Sequence, residues 1–261
     1  MYKKLLGNGF YVIDDLDLNK EEFISLSSQF GKLWTAEDHE NSKEFLNGDV
    51  VSWSSKNDWI RQSIPWHADN PASKEKSYPL RTFYSISIPD SDDAKLYFLD
   101  TTKAFSLLPD NKKEHLRKCN IIVGDDPHFK RLQALWEFEE HWEEPFVKIH
   151  PILKTENINY GCMALASDAF GLEPDEGYEG TISYNKAILH PDGTKWSKNE
   201  ITDLFKTFIN SVGVSEHKWK ERQFLIMDNS THLHYKQTTK IANKERLIWR
   251  RTVFQPWQIN T

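Results

Sequence analysis

"QFLIMDN" (223–229) and "HLHYKQ" (232–237) decide the fold, because they read as two strands in immediate succession and "RLIWRRTVFQ" (246–255) follows as a third. Working outward, "GFYVIDD" (9–15), "DVVSWS" (49–54), "RTFYSISIP" (81–89), "AKLYFLD" (94–100), "FVKIHPILK" (146–154) and "YGCMALA" (160–166) also read as strands. Pro89 ends its strand, and the polar turn after it predicts that 81–89 and 94–100 pair as a hairpin. Helices are expected over 18–31, with Asn19 as N-cap and Gly31 as stop, and over 197–213, with Ser197 as cap. A third runs over 101–118, capped by Thr101 or Thr102 and interrupted at Pro109-Asp110. "EFEEHWEEP" (137–145) carries five glutamates and reads as a solvated helix face. Residues 167–195, rich in glycine, aspartate and tyrosine, read as a long loop or lid. No linker divides residues 1–261, so the expectation is one domain, mainly β with flanking helices: a barrel-like sandwich with a lid or insert around 167–195.

The 261 residues are 38 % hydrophobic and 28 % charged, a soluble globular composition with ample length for a core. A net charge of −6 argues against a nucleic-acid partner held through phosphates. Two cysteines, Cys119 and Cys162, make no disulfide framework and suit a reducing, cytoplasmic setting. "MYKKLLGNGFYVIDD" reads as lacking a signal peptide, and no stretch has the apolar length of a membrane span. Ten tryptophans and 13 % aromatics fit a packed core or an aromatic-lined pocket.

"WHADN" (66–70) raises the question of chemistry. In an extended chain the side chains of His67 and Asp69 point to the same side. That is two thirds of a 2-His-1-carboxylate facial triad, whose open positions on Fe(II) accept a chelating co-substrate and O₂. "DNSTHLHYK" (228–236) offers His232 and His234 as the distant third ligand, and parity does not separate them. A 2-oxo acid co-substrate also needs a cation for its far carboxylate. In "RLIWRRT" (246–252), Arg246 and Arg250 share a face and Arg251 takes the other.

With these segments in hand, the chain resembles the taurine dioxygenase (TauD/TfdA-like) family of Fe(II)/2-oxoglutarate-dependent oxygenases. The matching stretches are "FGKLW" (30–34), "WHADN" (66–70), "YPLRTFYSISIP" (78–89), "LYFLDTTKAFSLL" (96–108), "VKIHPIL" (147–153), "LIMDNSTHLH" (225–234) and "RLIWRRTV" (246–253), in the family's order. The resemblance implies a double-stranded β-helix (jelly-roll) core. It implies His67, Asp69 and His234 as Fe(II) ligands, and Arg250, supported by Arg246, as the 2-oxoglutarate anchor. It further implies hydroxylation of a small-molecule substrate with O₂, releasing succinate and CO₂. The carboxylate of Asp69 favours hydroxylation over halogenation, since halogenating relatives have a small residue there.

The chain departs from the family at 90–96. The Gly-Gly turn is replaced by "DSDDAK" (90–95), and Leu96 stands where a threonine normally helps hold 2-oxoglutarate. That hydrogen bond is expected to be missing or supplied elsewhere. Arg61, Asn70, Tyr160, Asp168 and His232 are candidate substrate contacts, for a small polar or amino-acid-like molecule. A zinc hydrolase on the same ligands would not need Arg250, and a silent binding module would have lost a ligand; oligomeric state is not legible.

Overall fold

The computed structural model describes residues 5, 8–33, 50–56, 64–68, 80–89, 95–124, 141–150, 153–158, 185–237 and 244–256. Its organising element is β13 (Phe224–Asp228), whose residues are all buried. Leu225 and Met227 face one apolar cluster while Phe224 and Ile226 face another. A strand apolar on both faces belongs inside a sheet covered on both sides. β13 indeed lies between β1 (Phe10–Ile13) and β5 (Leu80–Ser87). β15 (Leu247–Pro256) pairs the far edge of β5, and it carries β2 (Gly31–Leu33) and β3 (Val51–Ser54).

A second antiparallel sheet has the order β12 (Ser215–Lys218), β6 (Lys95–Asp100), β14 (His232–Lys236), β4 (Ile64–His67). The two sheets share the apolar cluster that includes Phe83, Leu225, Met227 and Ile248 from the first and Leu96 and Phe98 from the second. Phe10 stacks on Phe98 across the gap, ring centroids 4.2 Å apart. Among the described residues the sheets are not closed on each other.

Helices cover the outer faces. α1 (Lys20–Ser28) begins with a full capping box between Asn19 and Glu22. Its fully buried Phe23 packs near Tyr84, Phe224 and Trp249 on the outside of the first sheet. Against the second sheet lie α2 (Thr101–Ser106), α3 (Asp110–Arg117) and α4 (Lys198–Val212). α4 is capped by Ser197 with Glu200 and buries Ile201, Leu204, Phe205 and Phe208, spaced as one helical face. A smaller sheet of β11 (Asn185–Leu189), β7 (Asn120–Gly124) and β8 (His141–Pro145) and the pair β9 (Val147–Ile149) and β10 (Glu156–Ile158) complete the described elements.

The structure corrects several expectations. Residues 81–89 and 94–100 do not form a hairpin: β5 pairs with β13 and β15, and β6 with β12 and β14. Successive strands cross between facing sheets here, as jelly-roll connectivity requires. The break at Pro109 is present, but Asp100 rather than a threonine caps α2, accepting from the Lys103 N–H at 2.8 Å. Residues 141–145 are strand, not helix; the glutamates of β8 are met by neighbours, Glu143 by Asn120 and Glu144 by Lys148. The strand over 146–154 stops at Ile149 because the chain turns at His150. Residues 185–189 of the expected lid are strand β11. α1 ends at Ser28, and Gly31 begins β2 instead of capping the helix. The strand expected over 160–166 and residues 167–184 of the expected lid lie outside the described residues.

Gly9 shows how tightly the strands close. Its φ is +75°, and a Cβ built there would stand 1.9 Å from the buried His232 ring. Its carbonyl accepts from the Asp228 N–H at 2.6 Å, so the backbone cannot move away without breaking that bond. Gly9→Ala is expected to cost about 2 kcal/mol or more of unfolding free energy, read as a lowered urea midpoint at unchanged slope.

Candidate metal centre and its cavity

β14 sits between β6 and β4, so its side chains have neighbours on both sides. In the β14–β4 ladder His234 lies directly opposite His67. Directly opposed residues project to the same face. The two rings are 3.9 Å apart by centroid, and both histidines are buried, at 6 % and 4 % exposure. The alternation works on the other face too: Trp66, Ala68, Leu233 and Tyr235 belong to the outer cluster. Trp66 and Tyr235 pack there with centroids 5.9 Å apart.

Register also separates His232 from His234. His232 lies opposite Asp100, not opposite His67. It lines a separate cleft with Asn8, Phe10, Asp100 and Lys103. Burial pulls its pKa down, opposed by the Asp100 and Asp228 carboxylates. Asp69, Asn70, Arg61, Tyr160 and Asp168 lie outside the described residues.

The turn that delivers β14 is pinned by polar contacts. Asp228 Oδ1 accepts from the Ser230 N–H at 2.8 Å, and His150 Nε2 lies 3.1 Å from Asp228 Oδ2. The Thr231 carbonyl accepts from both the N–H and the hydroxyl of Thr101. These bonds leave little freedom for a slip of β14.

Between the sheets, His67 and His234 open onto a cavity with apolar walls of Trp53, Phe83, Leu96, Trp219 and Ile248. Its other basic groups are Lys236 and Arg246, buried at 5 % and 6 % exposure. Lys236 lies two residues beyond His234 on the same face, opposite Leu96 in the β14–β6 ladder. Its Nζ donates to the Gln237 carbonyl at 3.1 Å. Sequence reasoning missed this lysine, although the alternation of "HLHYK" already gives it the parity of His234. Leu96 is on the inner face, where it lines the cavity and packs in the cluster between the sheets. Arg250 lies opposite Phe83 in the β15–β5 ladder, with its guanidinium carbon 5.0 Å from the Trp53 ring centroid. Arg251 lies opposite Thr82 on the other face.

His217 extends the inner face at the edge, opposite Leu96 and edge-on to Trp219 at 4.7 Å. Burial is the main reason its pKa falls to about 4; Arg246 lowers it further and Asp14 opposes both.

Comparison with known proteins identifies the family and the fold. Residues 1–252 match the family described as Taurine catabolism dioxygenase TauD, TfdA family. A taurine dioxygenase structure from Burkholderia xenovorans superposes with a TM-score of 0.68 at 16 % identity, covering 97 % of this chain and 78 % of that one. The structure of AAD-2 in complex with Mn(II) and N-oxalylglycine superposes with a TM-score of 0.62 at 14 % identity, covering 98 % and 86 %. The shared fold is the jelly roll. No curated protein matches the sequence.

The buried imidazole of His217 makes acid a stress on this region. Its folded pKa of about 4 lies below the unfolded value of 6.5, so the unfolded chain binds the extra proton between them. Stability from this group is complete above pH 6.5 and is lost as the pH falls toward 4, by about 3 kcal/mol over the window. In His217→Leu, the wild-type-minus-variant difference in urea unfolding free energy should shrink by that amount between pH 7 and pH 4.

Proposed function

The chain belongs to the taurine catabolism dioxygenase TauD, TfdA family, and from that premise we propose that it hydroxylates a small polar metabolite or an amino-acid-like substrate and releases succinate and CO₂. Dioxygenases of this family use Fe(II), 2-oxoglutarate and O₂. The observation that carries the reading is the pairing of His67 with His234 across two strands, beside buried cations in an otherwise apolar cavity.

Two buried imidazoles on one face are a fitting donor set for Fe(II), with Asp69 as the third ligand in our reading. When bound, iron supplies the O₂ chemistry that oxidises 2-oxoglutarate to succinate and CO₂ and inserts one oxygen atom into a substrate C–H bond. The chain's own part is to hold and to exclude. The Trp66–Tyr235 packing behind the ladder keeps the imidazoles of His67 and His234 aimed inward. Trp53, Phe83 and Trp219 keep water from the reacting groups, which strengthens each charge contact inside.

Arg250, supported by Arg246, is our assignment for the far carboxylate of 2-oxoglutarate. Lys236 takes over the contact that Leu96 lacks: it faces Leu96 across the ladder and brings an ammonium to the same cavity. A charged hydrogen bond of this kind contributes about 1.5–3 kcal/mol. Lys236→Met should therefore raise KM for 2-oxoglutarate roughly 10- to 100-fold with a smaller change in kcat. Adding Leu96→Thr to that variant should recover part of the loss. A hydrolase on the same ligands has no use for buried Lys236 and Arg246.

The test of the function is an anaerobic titration of metal-free protein with Fe(II) and then 2-oxoglutarate. A visible metal-to-ligand charge-transfer band should require both additions and disappear in His67→Ala and His234→Ala. Succinate release then screens small polar acids and amino acids as substrates. Bound iron without that band would overturn the reading.

A further inference from the structure

A second group of metal-ligating side chains converges away from the cavity. His115 lies in the last turn of α3, and Cys119 follows four residues later. In the β11–β7 ladder Leu189 is opposite Asn120, and the next residues out on the two chains are His190 and Cys119. His115 Nε2 is 3.3 Å from His190 Nδ1, and one ligand atom from each of His115, Cys119 and His190 lies within 4.8 Å of the others. We propose that these three residues form a second metal site, for a thiophilic divalent ion of the Zn²⁺ type.

The geometry suits a tetrahedral ion. With metal–nitrogen bonds of about 2.0–2.1 Å, the edge between two tetrahedral nitrogens is roughly 3.3–3.4 Å. The observed His115–His190 separation therefore needs no rearrangement. The surroundings are those of a ligand histidine: His190 Nε2 is 3.1 Å from Glu200 Oε1, which directs Nδ1 at the site. Glu200 is itself fixed, because its Oε2 accepts from the N–H and hydroxyl of Ser197 in the α4 capping box. Trp196 stacks on both imidazoles, at 5.5 Å from His190 and 6.4 Å from His115. Cys119 is fully buried while His115 is exposed, so an ion reaches the sulfur from the His115 side and a water completes its four ligands. On binding, the Cys119 S–H bond breaks, its proton leaves to solvent and sulfur bonds the metal as thiolate. His115 moves its ring proton to Nδ1, and both imidazoles bind neutral. The ion would tie the end of α3 to the end of β11.

Cobalt(II) gives a readout that the oxygenase centre cannot mimic, since that centre offers nitrogen and oxygen donors but no sulfur. Full-length His234→Ala protein, titrated anaerobically with Co(II), should develop a near-ultraviolet sulfur-to-cobalt charge-transfer band that Zn²⁺ abolishes. The band should survive Cys162→Ser and vanish in Cys119→Ser. His115→Gln alters an exposed side chain and keeps the core intact; it should bind one zinc fewer per chain. Zinc should raise the Tm of His234→Ala and leave that of His234→Ala/His115→Gln unmoved. No sulfur band at cobalt saturation, a band that persists in Cys119→Ser, or equal zinc shifts in the two Tm variants would each overturn the site.

Discussion

The register of three strands, β4, β14 and β6, is the constraint on which the rest depends. Strand side chains alternate, so a one-residue slip of β14 would send His234 outward and bring Leu233 and Tyr235 into the cavity. Apolar and polar forces oppose that slip together. Trp66, Leu233 and Tyr235 are committed to the outer cluster beneath α2 and α4. The loop before β14 is tied to three separate parts of the chain, through Thr101, His150 and Gly9. These buried polar bonds contribute only modestly to stability one by one, but their loss would be costly. Their effect is to make one register far better than its neighbours.

The inner face combines two demands that conflict in most cores. Phe83, Leu96, Phe98, Met227 and Ile248 make it apolar enough to hold the two sheets together. Lys236 and Arg246 place cationic side chains against that same surface. Burying a charge costs free energy that the contacts of the charged group must offset.

Much of this was legible in the sequence, and the failures have physical causes. The helix caps Asn19 and Ser197 followed from local chemistry, because such signals act over a few residues. Which of His232 and His234 faces His67 did not follow from parity; it needed a ladder, which joins residues far apart in sequence. Lys236 was visible by the same alternation but went unread, since a lysine is expected at the surface. The strand β8 was missed because glutamates disfavour strands, and Asn120 on the neighbouring strand and Lys148 further along the same chain segment offset that preference. The hairpin failed because a short polar turn says nothing about which sheet the next strand joins.

The two histidines of the centre do not share one depth of stability. β14 is flanked on both sides and buried along its length. β4 is four residues long and, among the described residues, forms the outer edge of its sheet. Edge strands open by local fluctuation at lower free energy than the strands they flank. Amide exchange should therefore be faster around His67 than around His234. The two opposed imidazoles thus differ in footing: a local opening of the edge strand releases His67 while His234 stays in place.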